Sequence, residues 1–439
     1  MARHHKNGLL EIPEKTEIII YPNPPVKEKE EYKKSKEVLF PAPPEITDVI
    51  QGPIGDCYLL ATLISIINTK KGAEYIEGMM KDDETHIIVR MYNDKMKACY
   101  FKIEKSYVYM KMTTARKRAD GPLWVTLIEK AFLVFMYADK KVDDLKDKDY
   151  YKDLLGGGQA PDTAMKVLLG KDAESLEAQD QGFEQLIKLF NTKIPNFSNP
   201  EQIKNLAPDK AVMKIVFDNK EDLIVTWTKW ACTVDRIYSL IMNYTSKALY
   251  QLDHFNAWFE QQLKEDKLDQ YVVIAVKKYI MGEGILSGVL AGKRGTGIYN
   301  KHMMDLYNKI QTALAKNLPA AVHSKGGIGG SNKSKKGNSG EDSWKGLFTD
   351  HAYAVLSVRD EPFRNNSKVS LKMIQLRNPH GKEGRDYIWK EKNGVQVLSA
   401  KETKDGTFWL ELSDLTKRFK GVYVGKEAEE ILESKEEDV

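Results

Sequence analysis

From residue 57 the chain reads CYLLATLISIINTKKG, with apolar pairs at Leu59/Leu60, Leu63/Ile64 and Ile66/Ile67. That spacing predicts a largely buried helix, with Lys70 and Lys71 in its last turn and Gly72 as its stop. THIIVRMYN and ACYFKIEKSYVYMKM then carry the β-branched and aromatic runs of strands, and LWVTLIEKAFLVFMY returns to a helical period. From about 160 to 320 the texture is mostly helical. Beyond residue 340 it becomes β, with HAYAVLSV, KVSLKMIQL and GTFWLEL separated by turn residues.

The expected organisation is an α+β protein with a helical first lobe and an antiparallel, sheet-rich second lobe. Residues 1–47, rich in proline and charge, read as an extended N-terminal arm. Residues 48–170 form the helical lobe, 171–300 a large helical insertion, 301–425 the β-rich lobe and 426–439 a charged tail. GGIGGSNKSKKGNSG at 326–340 is a flexible loop by composition. No internal repeat is visible.

Composition narrows the functional classes. With 439 residues, 42% of them hydrophobic, the chain has material for one large core or two moderate ones. Its 67 basic and 63 acidic residues leave a net charge of +4, too small a field to point to nucleic acid or membrane as partner. Three cysteines, Cys57, Cys99 and Cys232, are too few and scattered for a disulfide framework or a thiolate metal site. No stretch reaches the roughly 18 to 20 apolar residues of a membrane span, and MARHHKNGLLEIPEK lacks a signal-peptide core. The expected location is the cytoplasm, or outside after export by a non-classical route. No HExxH, paired CxxC or Walker spacing is present, so neither zinc catalysis nor an organic cofactor is expected.

Chemistry gathers around Cys57. QGPIGDCYLL places it where a glycine-containing loop enters an apolar helix, and the positive end of a helix dipole favours the thiolate. Gly52 and Gly55 would let a substrate backbone approach. A lone cysteine in such a place is more often an inert buried one. His351 begins the strand HAYAVLSV, and Asn378 ends KMIQLR and opens the turn NPHG. Each has an ordinary structural reading alone. Together, cysteine at a helix start, histidine at a strand start and asparagine at the end of the next strand make a Cys-His-Asn arrangement.

The segments Gln51-Gly52-Pro53-Ile54-Gly55-Asp56-Cys57-Tyr58, Asp350-His351-Ala352-Tyr353 and Arg377-Asn378-Pro379-His380-Gly381 resemble, in order, three motifs of the calpain family of cysteine proteases. LWVTLIEKAF at 123–132, Leu155-Gly156-Gly157, IQTALAKNLPAAVHSK at 310–325 and DGTFWLELSDLTKRF at 405–419 are similar to further family segments. The resemblance spans residues 40–425 and implies a papain-like two-lobe fold. It implies a cysteine endopeptidase acting on protein or peptide substrates, with Cys57 as nucleophile, His351 as base, Asn378 orienting the histidine and Gln51 in the oxyanion hole. Tyr58 and His380 stand where the family has tryptophan, and loss of the second tryptophan would expose the histidine–asparagine bond to water. The insertion at 171–300 has no counterpart in the motifs.

Family cores often bind calcium, and Asp48 and Glu129 occupy the positions of one such site, where oxygen donors suit a hard cation. The plainer reading gives Asp48 a turn to cap and Glu129 a salt bridge. Two other readings share the residues: a papain-fold transglutaminase or deamidase, and a catalytically dead binding module. Sequence leaves the oligomeric state open.

Overall fold

The computed structural model describes residues 6–26, 30–110, 122–138, 150–178, 212–217, 221–226, 299, 301–325, 335–336, 342–344, 346–363, 366–392 and 395–426. Cys232 and the tail beyond residue 426 therefore lie outside the described residues, as does the 326–340 loop except for Lys335 and Lys336.

The N-terminal segment is extended, but it is not a loose arm. Its strands β1 (Ile18–Ile20) and β2 (Glu30–Lys34) pair with the strands at Ala98–Glu104 and Ser106–Met110, β1 in parallel and β2 antiparallel. Leu10, Leu39 and Phe40 are buried. These few apolar residues anchor a segment whose proline and charge content suggests solvent.

Helix α1 (Cys57–Ile67) is buried on all sides, as its apolar pairs predict. It stops before the lysines, and Gly72 starts α2 (Gly72–Glu77) instead of ending α1. A Cβ on Gly72 would stand 1.9 Å from the Ile66 carbonyl oxygen, so the chain can double back there only through glycine. Strands β3 (Met80–Asp83), β4 (His86–Tyr92), β5 (Ala98–Glu104) and β6 (Ser106–Met110) follow, and β1-β5-β4-β3 form one sheet. Helix α3 (Leu123–Tyr137) packs Trp124, Ile128 and Phe132 into this core. Its Lys130 is buried, and the ammonium donates to the carbonyl of Glu104 at 2.8 Å and the hydroxyl of Ser106 at 2.9 Å. Burial lowers its pKa to about 7. Helix α4 (Pro161–Leu169) opens on proline and closes on Gly170 in the left-handed conformation, φ 67°.

The stretch expected as a helical insertion shows strands where it is described: β7 (Glu174–Glu177), and the antiparallel pair β8 (Val212–Phe217) and β9 (Glu221–Thr226). Its other residues, from 179 to 298, lie outside the described ones. After α5 (Lys301–Ala315) come β10 (Ala320–Ser324), β11 (Lys335–Lys336), β12 (Asp342–Trp344), β13 (Leu347–Phe348), β14 (Ala352–Phe363) and β15 (Asn366–Arg377). The hairpin β16 (Gly384–Lys392) and β17 (Val395–Thr403), β18 (Thr407–Glu411), α6 (Leu412–Arg418) and β19 (Phe419–Val424) complete the order. Six strands pair antiparallel as β18-β15-β14-β10-β19-β7.

Strand alternation gives this sheet two covered faces. Ala321, Ala352, Ala354 and Tyr423 belong to the core around α1, while Ala320, Val322, Tyr353, Val355, Val422 and Val424 belong to the core around α5. Residues one apart point to opposite faces, so β10, β14 and β19 each serve both cores. The small alanines on the α1 side let the helix lie close. The architecture is α+β, with antiparallel sheets except at β1.

Candidate active site

His351 sits just ahead of β14, held by its backbone. Ser324, at the end of β10, donates its N–H to the His351 carbonyl at 2.9 Å, and its hydroxyl accepts the His351 N–H at 2.9 Å. The same hydroxyl donates to the Phe348 carbonyl at 2.7 Å. Asp350 enters the position through a left-handed conformation, φ 47°. Glycine is the usual residue in that conformation, and aspartate is among the few others that tolerate it. Its carboxylate pairs with the Lys420 ammonium at 2.6 Å, away from the imidazole.

The imidazole meets Asn378, whose Oδ1 lies 2.9 Å from His351 Nε2. The orientation of the amide is determined by its other side: Nδ2 donates to the carbonyls of Lys382 and Glu383, both at 2.9 Å. Oδ1 therefore faces the histidine, and Nε2 must carry the proton that it accepts. Nδ1 is then the ring nitrogen that can exchange a proton with a thiol. His351 and Asn378 are both fully buried. The tryptophan-to-histidine change does not expose their bond. His380 stacks on His351 with centroids 4.8 Å apart and planes within 7°, while Phe348 and Tyr353 close other sides at 5.4 and 4.9 Å.

Cys57 is the first residue of α1, with Asp56 at the N-cap position. The N–H groups of a helix's first turn have no acceptor within the helix, and their dipole favours an anion there. Tyr58 is buried edge-on against Phe132, and its hydroxyl donates to the Leu155 carbonyl at 3.3 Å, so an aromatic residue is accommodated in place of tryptophan. Gly55 serves packing where sequence suggests substrate approach, since a Cβ there would meet the Gly156 carbonyl oxygen at 2.8 Å. Gln51 donates its backbone N–H to the Pro379 carbonyl at 2.8 Å and its Nε2 to the Ile54 carbonyl at 2.6 Å. One N–H of that amide remains beyond the bond to Ile54.

Two hydrogen bonds bracket the packing of α1 on β14. At the near end, Gln51 on the loop before Cys57 bonds Pro379, next to Asn378. At the far end, the Asn68 side chain donates to the Leu356 carbonyl at 2.9 Å. Cys57 to Asn68 rises roughly 16 Å along a helix, and His351 to Leu356 spans about the same along a strand. The two elements run side by side in the same direction, which sets the nucleophile candidate at the histidine end. Cys57 is 3% exposed and shares a buried cluster with Ala352.

Asp48 and Glu129 both have partners within the protein. Asp48 Oδ2 accepts the Glu45 N–H at 2.9 Å, closing a turn, and its pKa is raised, chiefly by burial. Glu129 is buried in α3. Among the described residues no group of three or more His, Cys, Asp and Glu side chains is placed to hold a metal.

Two supporting features escape a reading of the sequence. Ser324 is one of many serines, and nothing in AAVHSK distinguishes it. The buried pair of Arg385 and Asp414, 2.8 Å apart, ties β16 to α6, with the Tyr387 hydroxyl donating to the same carboxylate at 2.8 Å. Asp414 stands in a family-like segment, but its partner could be found only in three dimensions.

Among the described residues no helix is long and apolar enough to cross a membrane. No curated protein matches the chain. Residues 291–426, which include His351 and Asn378 but not Gln51 or Cys57, match the family model described as calpain family cysteine protease, and over that segment the resemblance carried by the motifs is shown.

Proposed function

We propose that the protein is a cysteine endopeptidase of papain-like architecture whose cores around α1 and α5 are the two lobes. Cys57 attacks a peptide carbonyl as thiolate, forming an Sγ–C bond, while protonated His351 delivers its proton to the leaving amine as the C–N bond breaks. Water then cleaves the thioester, with His351 taking a proton from it and the thiolate departing. Asn378 keeps the imidazole oriented. The Cys57 N–H and the remaining Gln51 N–H face the developing oxyanion, each such donor contributing on the order of 3 kcal/mol in other hydrolases.

The observation that supports this most is the buried bond from His351 Nε2 to an Asn378 amide locked by two carbonyls. A merely structural histidine has no need of so restricted an acceptor. Burial also strengthens the ion pair formed between thiolate and imidazolium.

The test is labelling by iodoacetamide and by an epoxysuccinyl inhibitor, read by mass spectrometry, together with casein digestion. Cys57 should react well ahead of Cys99 and Cys232, and His351→Ala should abolish the difference. Cys57→Ala should fold and lose all turnover. Equal labelling of the three cysteines would sink the proposal. Incorporation of a primary amine donor without peptide cleavage would point to transglutaminase chemistry, and rapid labelling without either would indicate a binding module.

A further inference from the structure

The proposed mechanism uses one imidazole, yet the structure holds two in register. His380 lies face to face with His351, 4.8 Å between centroids and 7° between planes, and Phe348 contacts both rings, at 5.4 and 5.1 Å. Its backbone is tied in as well, since the His380 N–H donates to Asn378 Oδ1 at 3.0 Å, the same oxygen that accepts from His351. The ring that covers the candidate base is thus the one kind of aromatic side chain that changes charge near neutral pH.

We infer that His380 is a positioning residue that limits the protonation of His351: the stacked rings carry a single positive charge between them, so that protonating His380 releases the Nδ1 proton of His351 to solvent or to the Cys57 thiolate. This rests on the reading of His351 as the base. A neutral ring over an imidazolium attracts it through its π face. A second imidazolium at this distance repels it, and the two sites then titrate as a coupled pair with separated midpoints. Tryptophan or phenylalanine in this place would supply the attraction without the titration. The structure therefore assigns the enzyme a cover that stabilises the active ion pair at neutral pH and dismantles it on acidification.

Other ionisable groups lie on the elements packed around the two rings. Asp48 lies on the loop joined through Gln51, Asp56 and Cys57 at the start of α1, and Lys382 and Glu383 in the same turn as His380. Asp350 ahead of β14 is paired with Lys420, and His323 lies on β10. Burial, the largest effect on His323, lowers its pKa. The thiol of Cys57 is the partner whose ionisation the pair controls.

The experiment follows the ring signals of His351 by NMR in histidine-labelled protein across pH 5 to 9, in the wild type, His380→Phe and His380→Trp. The wild type should titrate in two steps, and either variant in one step lying roughly one pH unit above the lower wild-type step. In parallel, the acid limb of Cys57 alkylation should move to lower pH by a similar amount in the variants and lose its two-proton steepness. A single one-proton step for His351 in the wild type overturns the inference, and this needs no variant to fold. Because the readout is a ring titration, it separates from the protease reading. Coupled titration without peptide cleavage would retain the stack and remove the enzyme, whereas cleavage with an unmoved His351 midpoint would do the reverse.

Discussion

Ser324 closes on His351 from both sides of its backbone, donating its N–H to the carbonyl at 2.9 Å and accepting the amide N–H on its hydroxyl at 2.9 Å. Both residues are fully buried, so water cannot replace the hydroxyl without a rearrangement. Ser324→Ala should leave the His351 N–H buried without its acceptor. The expected loss is about 1 to 3 kcal/mol in urea unfolding. Displacement of the imidazole should lower kcat/KM on the order of 10- to 100-fold. A variant with wild-type stability and activity would remove Ser324 from the positioning of the site.

Asn378 works in two directions, toward His351 through Oδ1 and toward Lys382 and Glu383 through Nδ2. Asn378→Ala should reduce kcat on the order of 100-fold while changing KM little, because orientation of the base matters most in the transition state. Asn378→Asp keeps the acceptor for His351 but loses the donors to two carbonyls, so it should restore part of the activity at a cost in stability. Equal kcat in all three proteins would show that the bond is structural only.

Arg385 and Asp414 are 0% and 2% exposed in their side chains, and neither has solvent to fall back on. Asp414→Ala should cost about 3 to 5 kcal/mol, because it strands a buried guanidinium. Arg385→Met combined with Asp414→Ala should cost clearly less than the sum of the single changes, read from the melting temperatures of the four proteins. Additive losses would mean that the pair contributes nothing as a pair.

Glu411 is buried at the end of β18, where the hydroxyls of Tyr299 and Ser413 donate to it, and burial pushes its pKa from 4.5 up to about 7. The folded state therefore binds more protons than the unfolded one between these values, and stability falls as pH rises from about 4.5 to about 7. The penalty at higher pH is on the order of 3 kcal/mol. Glu411→Gln should be near neutral at pH 4.5 and stabilising relative to wild type at pH 8, measured by urea unfolding at both. An unchanged difference between the two pH values would contradict the assignment.

Calcium gives a simple contrast. With Asp48 engaged in the Glu45 turn and no cluster of acidic groups among the described residues, neither excess EGTA nor millimolar calcium should alter activity or melting temperature. A calcium-dependent rise in melting temperature, lost in Glu129→Gln, would show that the loop opens to bind the ion.

The local events were legible in the amino-acid order. A largely apolar helix at 57, strand alternation beyond 340, and the order of cysteine, histidine and asparagine follow from side-chain periodicity and residue chemistry, which act over neighbouring positions. Where elements end was less so. Gly72 reads as a helix stop, but its meaning lies in a close approach to Ile66, and Gly55 reads as a substrate contact but abuts Gly156. The N-terminal strands depend on partners some 80 residues away in sequence, and local composition cannot register them. Pairing of Arg385 with Asp414, Ser324 with His351 and His380 with His351 belongs to tertiary structure alone. Periodicity tells which face of an element is apolar, whereas a hydrogen bond or a ring stack requires two positions to meet within a few ångströms, and only the packing of β10, β14 and the Asn378 turn against α1 decides that.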